Sequence, residues 1–333
     1  MVTTELRTDP ITGRIVAIDL GPFKRRDDFD LEPVRLDDAP AQCPFCEGRE
    51  AEAGAEILAW REGGPANVPG WSVRVVPNRH PMLRIEDQAD VRRNGLFESR
   101  DGLGAHEVII ETPIHDQPLH MLDADHLWRV LWAWRTRLQD LKRDKRFASV
   151  VIFKNHGRAS GARLDHSHSQ LTAYPLIPPA LVEKLRGAER HLSITGTCIF
   201  CDLIAQELND ARRIISHDHA ILAIAPYASR VPFETWITPR DHSPRFEEAS
   251  DAILVAVAST LKTVMARIDW ALERPAYNLV LNTAPLSGEA DSAFHWHLEV
   301  LPRVTRFSGL EWGSGIFRNP VSPEEAAQAL RST

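Results

Sequence analysis

The chain has 333 residues, of which 43% are hydrophobic and 26% are charged, as in ordinary soluble globular proteins. This length is enough for two domains. The formal net charge of −7 argues against a protein that coats nucleic acid, since phosphate binding needs concentrated Lys and Arg. No apolar run reaches the ~18–20 residues of a membrane span, and the start, MVTTELRTDP, lacks the apolar core of a signal peptide. We therefore expect a cytoplasmic protein without a membrane or nucleic-acid partner.

The four cysteines fall in two C-x-x-C pairs, CPFC at Cys43 and Cys46 and CIFC at Cys198 and Cys201. Disulfides are rare in a reducing compartment, which leaves metal or redox chemistry. A single C-x-x-C is also typical of a thioredoxin-like redox site. Two such pairs without a spare cysteine favour zinc.

The order of motifs in the first half of the chain recurs in the second half. After the first C-x-x-C come VRVVPNRHP, EVIIETPIHD, a helical stretch and VVIFKNHGRASGARLDHSH. After the second come AILAIAPYASRVP, FETWITPRDH, a helical stretch and YNLVLNTAPLSGEADSAFHWH. His115 precedes His166 by 51 residues, and His242 precedes His295 by 53. We interpret the chain as a duplication of one α+β unit.

The hydrophobic pattern predicts helices over 123–142 and 251–270. The first of these stretches starts with Asp123, a residue type suited to the N-cap. Short β-branched and aromatic runs such as ASVVIF and NLVL predict strands. The segment 176–197, which contains three prolines, is predicted to connect the two halves.

Each half supplies two cysteines and two histidines, the ligand set of a closed tetrahedral zinc site. The predicted sets are Cys43, Cys46, His115 and His166 in the first half, and Cys198, Cys201, His242 and His295 in the second. The alternative is a single four-cysteine site that joins the halves, which leaves the histidines unexplained. We therefore predict two zinc ions per chain.

The stretch LDHSHSQL, 164–171, alternates in a way that places His166, His168 and Gln170 on one face of a strand. If His166 binds zinc, His168 remains beside the metal as a base or nucleophile near pH 7. Gln170 can donate an amide hydrogen bond to an anionic oxygen. The glycines of NHGRASG, 155–161, permit a close backbone approach, and N–H groups there can cradle a phosphate. The pattern predicts a phosphoryl-binding site; the alternative is a pair of solvated histidines on a half-exposed strand.

HSHSQ resembles the histidine-triad motif in its transferase form, with Gln in place of the last His. The chain is similar to the galactose-1-phosphate uridylyltransferase family in both halves, through ELRTDPITGRIV, CPFCEGRE, RVVPNRHP, HEVIIETPIHD, NHGRASGARLDHSHSQ, PFETWITPRDH and FHWHLEVLPR. PFETWITPRDHS and GLEWGSGIFRNPVSPEEAA are most similar to the ADP-glucose phosphorylase branch. The resemblance implies an α+β fold of two tandem histidine-triad-like units, with mainly antiparallel sheets and packed helices, assembled as a homodimer. The catalytic unit would span 1–180, and the unit with the second metal site 190–333.

The same resemblance implies roles for individual residues. His168 would take the nucleotidyl group, and Gln170 would bind its phosphate. The residues implied to bind substrate are Asn78 at the base or ribose, Arg25 at the diphosphate, and Asn155 and Gly161 in the same pocket.

The chain also departs from the family pattern. Pro22 stands where a second arginine is common, and Arg163 where the phosphate loop has a serine. CIFC lies in the half where well-known uridylyltransferases carry an iron site without C-x-x-C. GSG at 313–315 replaces a Tyr-Glu pair that contacts the hexose. These changes bear on the sugar and the base and leave the nucleotidyl chemistry intact.

We therefore expect a ping-pong nucleotidyltransferase in which His168 attacks the α-phosphorus of a nucleotide sugar and a sugar phosphate leaves. The first interpretation is a UDP-glucose–hexose-1-phosphate uridylyltransferase. The alternative is an ADP-glucose phosphorylase, which uses inorganic phosphate as the acceptor. A non-catalytic zinc protein that binds nucleotides is the rival from another class. A hydrolase is disfavoured, because Gln170 cannot act as a base where hydrolytic members carry a histidine.

Overall fold

A computed structural model describes residues 3–29, 31 and 40–332. The strands in these ranges are β1 Thr4–Thr8, β2 Ile15–Asp19, β3 Leu58–Arg61, β4 Trp71–Pro77, β5 Val91–Asn94, β6 Phe97–Arg100, β7 Ala105–Ile110, β8 Ser149–His156, β9 His168–Tyr174, β10 Ile214–His217, β11 Ile221–Ile224, β12 Thr235–Pro239, β13 Tyr277–Asn282, β14 His297–Pro302 and β15 Phe317–Asn319. The α-helices are α1 Glu50–Ala53, α2 Ala124–Leu141, α3 Pro179–Thr195, α4 Ile199–Asp210, α5 Asp251–Leu272, α6 Gly309–Ser314 and α7 Pro323–Arg331. None of these helices is long and apolar enough to cross a membrane.

Ten strands form one antiparallel sheet in the order β10-β11-β12-β14-β13-β8-β9-β7-β4-β3. Outward from the centre, β8, β9, β7, β4 and β3 on one side are matched by β13, β14, β12, β11 and β10 on the other. The two halves meet where β8 pairs with β13, with Asn155 opposite Asn278. This arrangement confirms the α+β fold and the internal duplication.

The two long helices pack against each other and cover one face of the sheet. Helix α2 begins after Asp123, whose carboxylate accepts a hydrogen bond from the backbone N–H of His126 at 2.7 Å, as an N-cap does. Helix α5 has an equivalent cap at Ser250. Both predicted helices are confirmed, and their buried faces, which include Trp134 and Leu261, form the centre of the core.

The connection between the halves is mostly helical. Helix α3 starts at Pro179, where the missing N–H costs no intrahelical hydrogen bond, and ends before Gly196, which has a left-handed φ of 79°. The backbone of Ile11 runs directly over this helix: a Cβ at Gly187 would lie 1.6 Å from the carbonyl oxygen of Ile11. Strand β2 pairs with β15, so the N-terminal strands lie against the second half.

Candidate active site and metal centres

One cavity brings together most of the sequence-predicted substrate residues. It measures about 580 Å³ and lies beside β9, between β7 on one side and β8 on the other. The predicted residues that line it are His168, Gln170, Asn78, Asn155 and Gly161. Arg25, the remaining predicted substrate-binding residue, does not line this cavity. It lines a separate cavity of about 850 Å³ together with Trp270.

His168 is the first residue of β9 and is 8% exposed. Its Nδ1 lies 2.7 Å from the carbonyl oxygen of His166. Because a carbonyl oxygen can only accept, Nδ1 carries the proton, and in the neutral ring Nε2 carries the lone pair. Phe45 and the imidazole pack in a T-shaped arrangement, with ring centroids 5.3 Å apart. The local backbone therefore fixes both the tautomer and the orientation of the predicted nucleophile.

The side chain of Gln170 accepts hydrogen bonds from two neighbouring side chains, His106 and Asn78. His106 Nδ1 accepts from the backbone N–H of Met82 at 3.0 Å, so the proton of the neutral ring is on Nε2. That Nε2 lies 2.9 Å from Gln170 Oε1, and Asn78 Nδ2 donates to the same oxygen at 3.2 Å. Since Oε1 is occupied, the orientation of the amide is fixed, and its NH₂ group points away from these donors. His106 is thus a site residue that the sequence analysis missed, and Asn78 orients Gln170.

The loop 157–161 forms a 3-10 turn that ends at Gly161, which has a left-handed φ of 88°. The N–H groups of Ser160 and Ala162 donate to the carbonyl of Gly157, and the N–H of Gly161 donates to Arg158. These three N–H groups therefore donate within the loop. The prediction that backbone N–H groups of this loop cradle a phosphate is wrong for these three. The side-chain nitrogen of Asn155 lies over the turn, 3.9 Å from where a Cβ on Gly161 would be.

The charge of the cavity suits an anionic ligand. Two arginines, Arg79 and Arg163, line it, and its described lining contains no carboxylate. Arginine is well suited to binding phosphate because its planar fork offers several donors. Arg163 is the residue that departs from the family's serine, so the substitution adds a cation to the site.

A buried ion pair supports the strand behind His168. Lys154 is 1% exposed and Glu111 is fully buried, with Nζ and Oε2 at 2.6 Å. Lys154 Nζ also donates to Ser167 Oγ and to the carbonyl oxygen of His168, both at 3.0 Å. The hydroxyl of Ser167 donates to Glu111 at 2.8 Å. Lys154 therefore fixes the backbone at the point where β9 begins.

Each predicted metal set is assembled in three dimensions, and the ligand atoms within each set lie within 4.8 Å of one another. In the first set, the Sγ of Cys43 and the Sγ of Cys46 each lie 3.5 Å from a histidine Nδ1. Zinc bond lengths of about 2.3 Å to sulfur and 2.0–2.1 Å to nitrogen give tetrahedral S···N edges of about 3.5 Å. His166 Nε2 donates to the carbonyl of Thr112 at 2.7 Å, which leaves Nδ1 to bind metal. Burial lowers the pKa of His166 to about 4, so this ligand is neutral at pH 7.

The second set repeats this geometry. The Sγ of Cys201 lies 3.4 Å from His242 Nδ1 and 3.8 Å from His295 Nδ1. His295 Nε2 donates to the carbonyl of Pro239 at 3.0 Å. Burial raises the pKa of the Cys201 thiol to about 12, as it does for Cys43. A thiolate at either position therefore needs a cation beside it, and these donor sets fit a tetrahedral metal ion.

The position equivalent to His168 in the second half has a different environment. His297 Nδ1 donates to the carbonyl of His295 at 3.0 Å, as in the first half. Lys184 Nζ, however, lies 3.2 Å from His297 Nε2 and donates to Glu299. The ring stacks on Trp236, with centroids 4.7 Å apart. A lysine and a carboxylate thus occupy the space where a phosphate would approach.

The cavity at His297 is also nearly filled. It measures about 30 Å³, against about 580 Å³ in the first half. Its lining includes Ile11 and the carboxylates Asp9 and Glu207, where the first cavity has arginines. The described geometry therefore offers nucleotide-sized space at His168 and excludes it at His297.

Comparisons with known proteins agree with this architecture. The family model for the galactose-1-phosphate uridyl transferase N-terminal domain matches residues 71–178, and the model for the C-terminal domain of the same family matches residues 184–307. The chain is 33% identical over 332 residues to an ADP-glucose phosphorylase of Arabidopsis thaliana, covering 98% of this chain and 92% of that protein. It is 28% identical over 338 residues to a galactose-1-phosphate uridylyltransferase of Thermotoga maritima, covering 99% of this chain and 98% of that protein.

The structural comparisons extend over the whole chain. A crystal structure of an Arabidopsis thaliana ADP-glucose phosphorylase with bound ADP-glucose matches with a TM-score of 0.84 and 31% identity, covering 100% of this chain and 99% of that one. A uridylyltransferase structure shares the fold, with a TM-score of 0.78 and 24% identity over 98% of this chain and 97% of that one. The matched domains cover most of the sequence, in the order that the duplication predicts. The chain therefore belongs to the galactose-1-phosphate uridylyltransferase family of nucleotidyltransferases.

Proposed function

We propose that this protein transfers a nucleotidyl group from a nucleotide sugar to a phosphate-bearing acceptor through a covalent intermediate on His168. The observation that carries the proposal is the fixed tautomer of His168, which presents the lone pair of Nε2 beside a cavity lined by Arg79 and Arg163. An oriented imidazole can displace a sugar phosphate from the α-phosphorus without a separate base.

In the first step, Nε2 of His168 forms a bond to the α-phosphorus while the bond from that phosphorus to the sugar phosphate oxygen breaks. The sugar phosphate leaves with the electron pair. The proton on Nδ1 stays hydrogen-bonded to the carbonyl of His166, which stabilises the positive charge on the substituted ring. In the second step, an oxygen of the acceptor phosphate attacks the same phosphorus and releases His168.

Gln170 and Asn155 would supply neutral donors to the phosphoryl oxygens, assisted by the two arginines. A neutral amide cannot activate water as a base, so the adduct should await a phosphate acceptor. His106 and Asn78 would act as positioning residues for Gln170, because both donate to its Oε1.

Two substrate pairs are supported by different observations. The Thermotoga maritima relative, a galactose-1-phosphate uridylyltransferase, favours uridylyl transfer to a hexose 1-phosphate. The Arabidopsis thaliana relative, and its structure with ADP-glucose, favour adenylyl transfer to inorganic phosphate. The Tyr-Glu pair replaced at 313–315 also favours an acceptor without a sugar.

The test is to incubate the protein with UDP-glucose and ADP-glucose together and to weigh the intact chain. A UMP adduct that galactose 1-phosphate discharges would assign the uridylyltransferase reaction, and an AMP adduct that phosphate discharges would assign the phosphorylase reaction. An adduct that water alone clears rapidly would contradict both. Binding of nucleotide sugar with no adduct would support a non-catalytic nucleotide-binding protein instead.

We further propose that both Cys₂His₂ sets bind zinc, giving two ions per chain. Zinc would cross-link segments that are distant in sequence, such as Cys43 and His166, and would stabilise the folded state directly. In the first half it would also fix the strand on which His168 lies.

A homodimer in the cytoplasm completes the proposal. All four cysteines lie in the two Cys₂His₂ sets, and thiols that bind metal are typical of a reducing compartment. The family resemblance implies the dimer. Arg25 does not line the His168 cavity of its own chain, so its predicted contact with the diphosphate would be made in the site of a partner chain. Light scattering coupled to size exclusion measures the mass directly, and a value for one chain would contradict this part of the proposal.

A further inference from the structure

Asn278 of the second half contacts the first-half site across the central strand pair. It lies on β13 directly opposite Asn155 on β8. Its Nδ2 donates to Asn155 Oδ1 at 2.8 Å and to the carbonyl oxygen of Ser160 at 3.0 Å. One amide therefore uses both of its N–H groups, one on an Asn155 side chain that lines the cavity and one on the glycine-bearing loop.

This contact determines which end of the Asn155 amide faces the cavity. With Oδ1 directed at Asn278, the NH₂ group of Asn155 is directed away from it, over Gly161. An NH₂ group can donate to a phosphoryl oxygen, whereas Oδ1 in the same place would repel it. The carbonyl of Ser160 is held by the same residue, so the turn and the Asn155 amide are kept in one arrangement.

We infer that Asn278 is a positioning residue for nucleotidyl transfer, through which the second half orients the phosphate donor Asn155. The inference rests on the proposed function, in which His168 forms the adduct. It assigns the second half a role in the first active site, although its own equivalent of that site is filled.

The test compares Asn278→Ala with Asn278→Asp by the rate of adduct formation at saturating nucleotide sugar. Loss of the donor in Asn278→Ala should slow labelling by about tenfold, the size expected for losing control of one hydrogen bond to a charged group. In Asn278→Asp the carboxylate can only accept, so the Asn155 amide should turn its NH₂ group toward it and its oxygen toward the phosphate. We therefore expect a larger loss, of about a hundredfold or more, from the substitution that is closer in size.

The matched control is Asn282→Asp, the same change on the same strand. Asn282 accepts from Lys184 in the second half and should leave the labelling rate within about twofold of wild type. In an Asn155→Ala background, both changes at Asn278 should cost less than about threefold, because the group they orient is gone. Thermal unfolding of each variant separates loss of orientation from loss of folding.

The outcomes separate this inference from the proposed function. Wild-type protein that forms no adduct would overturn the proposed function, and the inference with it. If the wild type is labelled normally, either of two results would overturn the inference alone. One is that Asn278→Asp is labelled as fast as Asn278→Ala. The other is that the changes at Asn278 slow labelling as much in the Asn155→Ala background as in the wild-type background. A slower Asn278→Asp, with the penalty abolished by Asn155→Ala, is the result that supports it.

Discussion

Replacing Lys154 by Met should destabilise the protein strongly, because it leaves a buried charge without its partner. Lys154 is 1% exposed and donates to three acceptors, among them Glu111, which is fully buried. Methionine matches the stem in size and removes all three hydrogen bonds. Glu111 keeps the hydroxyl of Ser167, and its second oxygen, Oε1, has no hydrogen-bond partner among the described residues.

The size of the effect follows from this burial. Breaking a buried ion pair by removing one partner costs about 3–5 kcal/mol, against about 0–1 kcal/mol for an exposed pair. With an unfolding entropy of roughly 2.1 cal/mol/K per residue, a chain of this length should lose about 4–7 °C in Tm. The double variant Lys154→Met with Glu111→Gln should recover part of this loss, since it removes the uncompensated charge.

The assay is thermal unfolding of the metal-saturated protein by circular dichroism and calorimetry. Arg93→Met is the matched control, because the pair of Arg93 with Glu98 is exposed, at 75% and 39% for the two side chains. The control should move the Tm by roughly 1 °C or less. If Lys154→Met behaves like the control, or if adding Glu111→Gln makes the loss larger, the pair does not stabilise the strand as described.

Three further predictions concern the metals, the active half and pH. Metal analysis should find two zinc ions per chain and one after Cys198→Ser, with a lower Tm; an unchanged metal content would count against two separate sites. His168→Ala should abolish covalent labelling while His297→Ala retains it, as followed by intact mass, and equal loss in both would mean that the halves are misassigned. Burial, and then the charge of the nearby lysine, lower the pKa of His156 to about 3. The unfolded chain therefore binds a proton below about pH 6.5 that the folded chain does not, and stability should fall with decreasing pH by up to about 1.4 kcal/mol per pH unit. His156→Phe should reduce the slope of unfolding free energy between about pH 5 and 7, and an unchanged slope would refute this assignment.

The grouping of the two Cys₂His₂ sets and the placing of His168 and Gln170 in one cavity could be predicted because their signals are local or repeated. C-x-x-C pairs and matched histidine spacings carry the metal sets, and alternation along one strand relates His168 to Gln170. The role of His106 could not be predicted in this way, because it depends on the pairing of β7 with β9. Asn278 depends on the pairing of β8 with β13, between halves that are distant in sequence.

The glycine loop shows a different limit of sequence reasoning. NHGRASG indicates a turn, and a turn is present, but composition does not show which N–H groups remain available after the turn closes. In the structure those of Ser160, Gly161 and Ala162 bind carbonyls within the loop. Donation to a phosphate is thereby left to side chains, whose orientation is set by tertiary contacts.

The most direct test of the central claim is to identify the protein atom to which the nucleotide is covalently bonded. The protein is labelled with nucleotide sugar, digested, and analysed by tandem mass spectrometry, with phosphorus NMR to distinguish the two phosphohistidine isomers. Because Nδ1 of His168 donates to the carbonyl of His166, the nucleotidyl group should be bonded to Nε2 of His168. A nucleotide bonded to Nδ1 or to another residue would contradict the account. A protein that turns substrate over without forming a covalent nucleotide would contradict it as well.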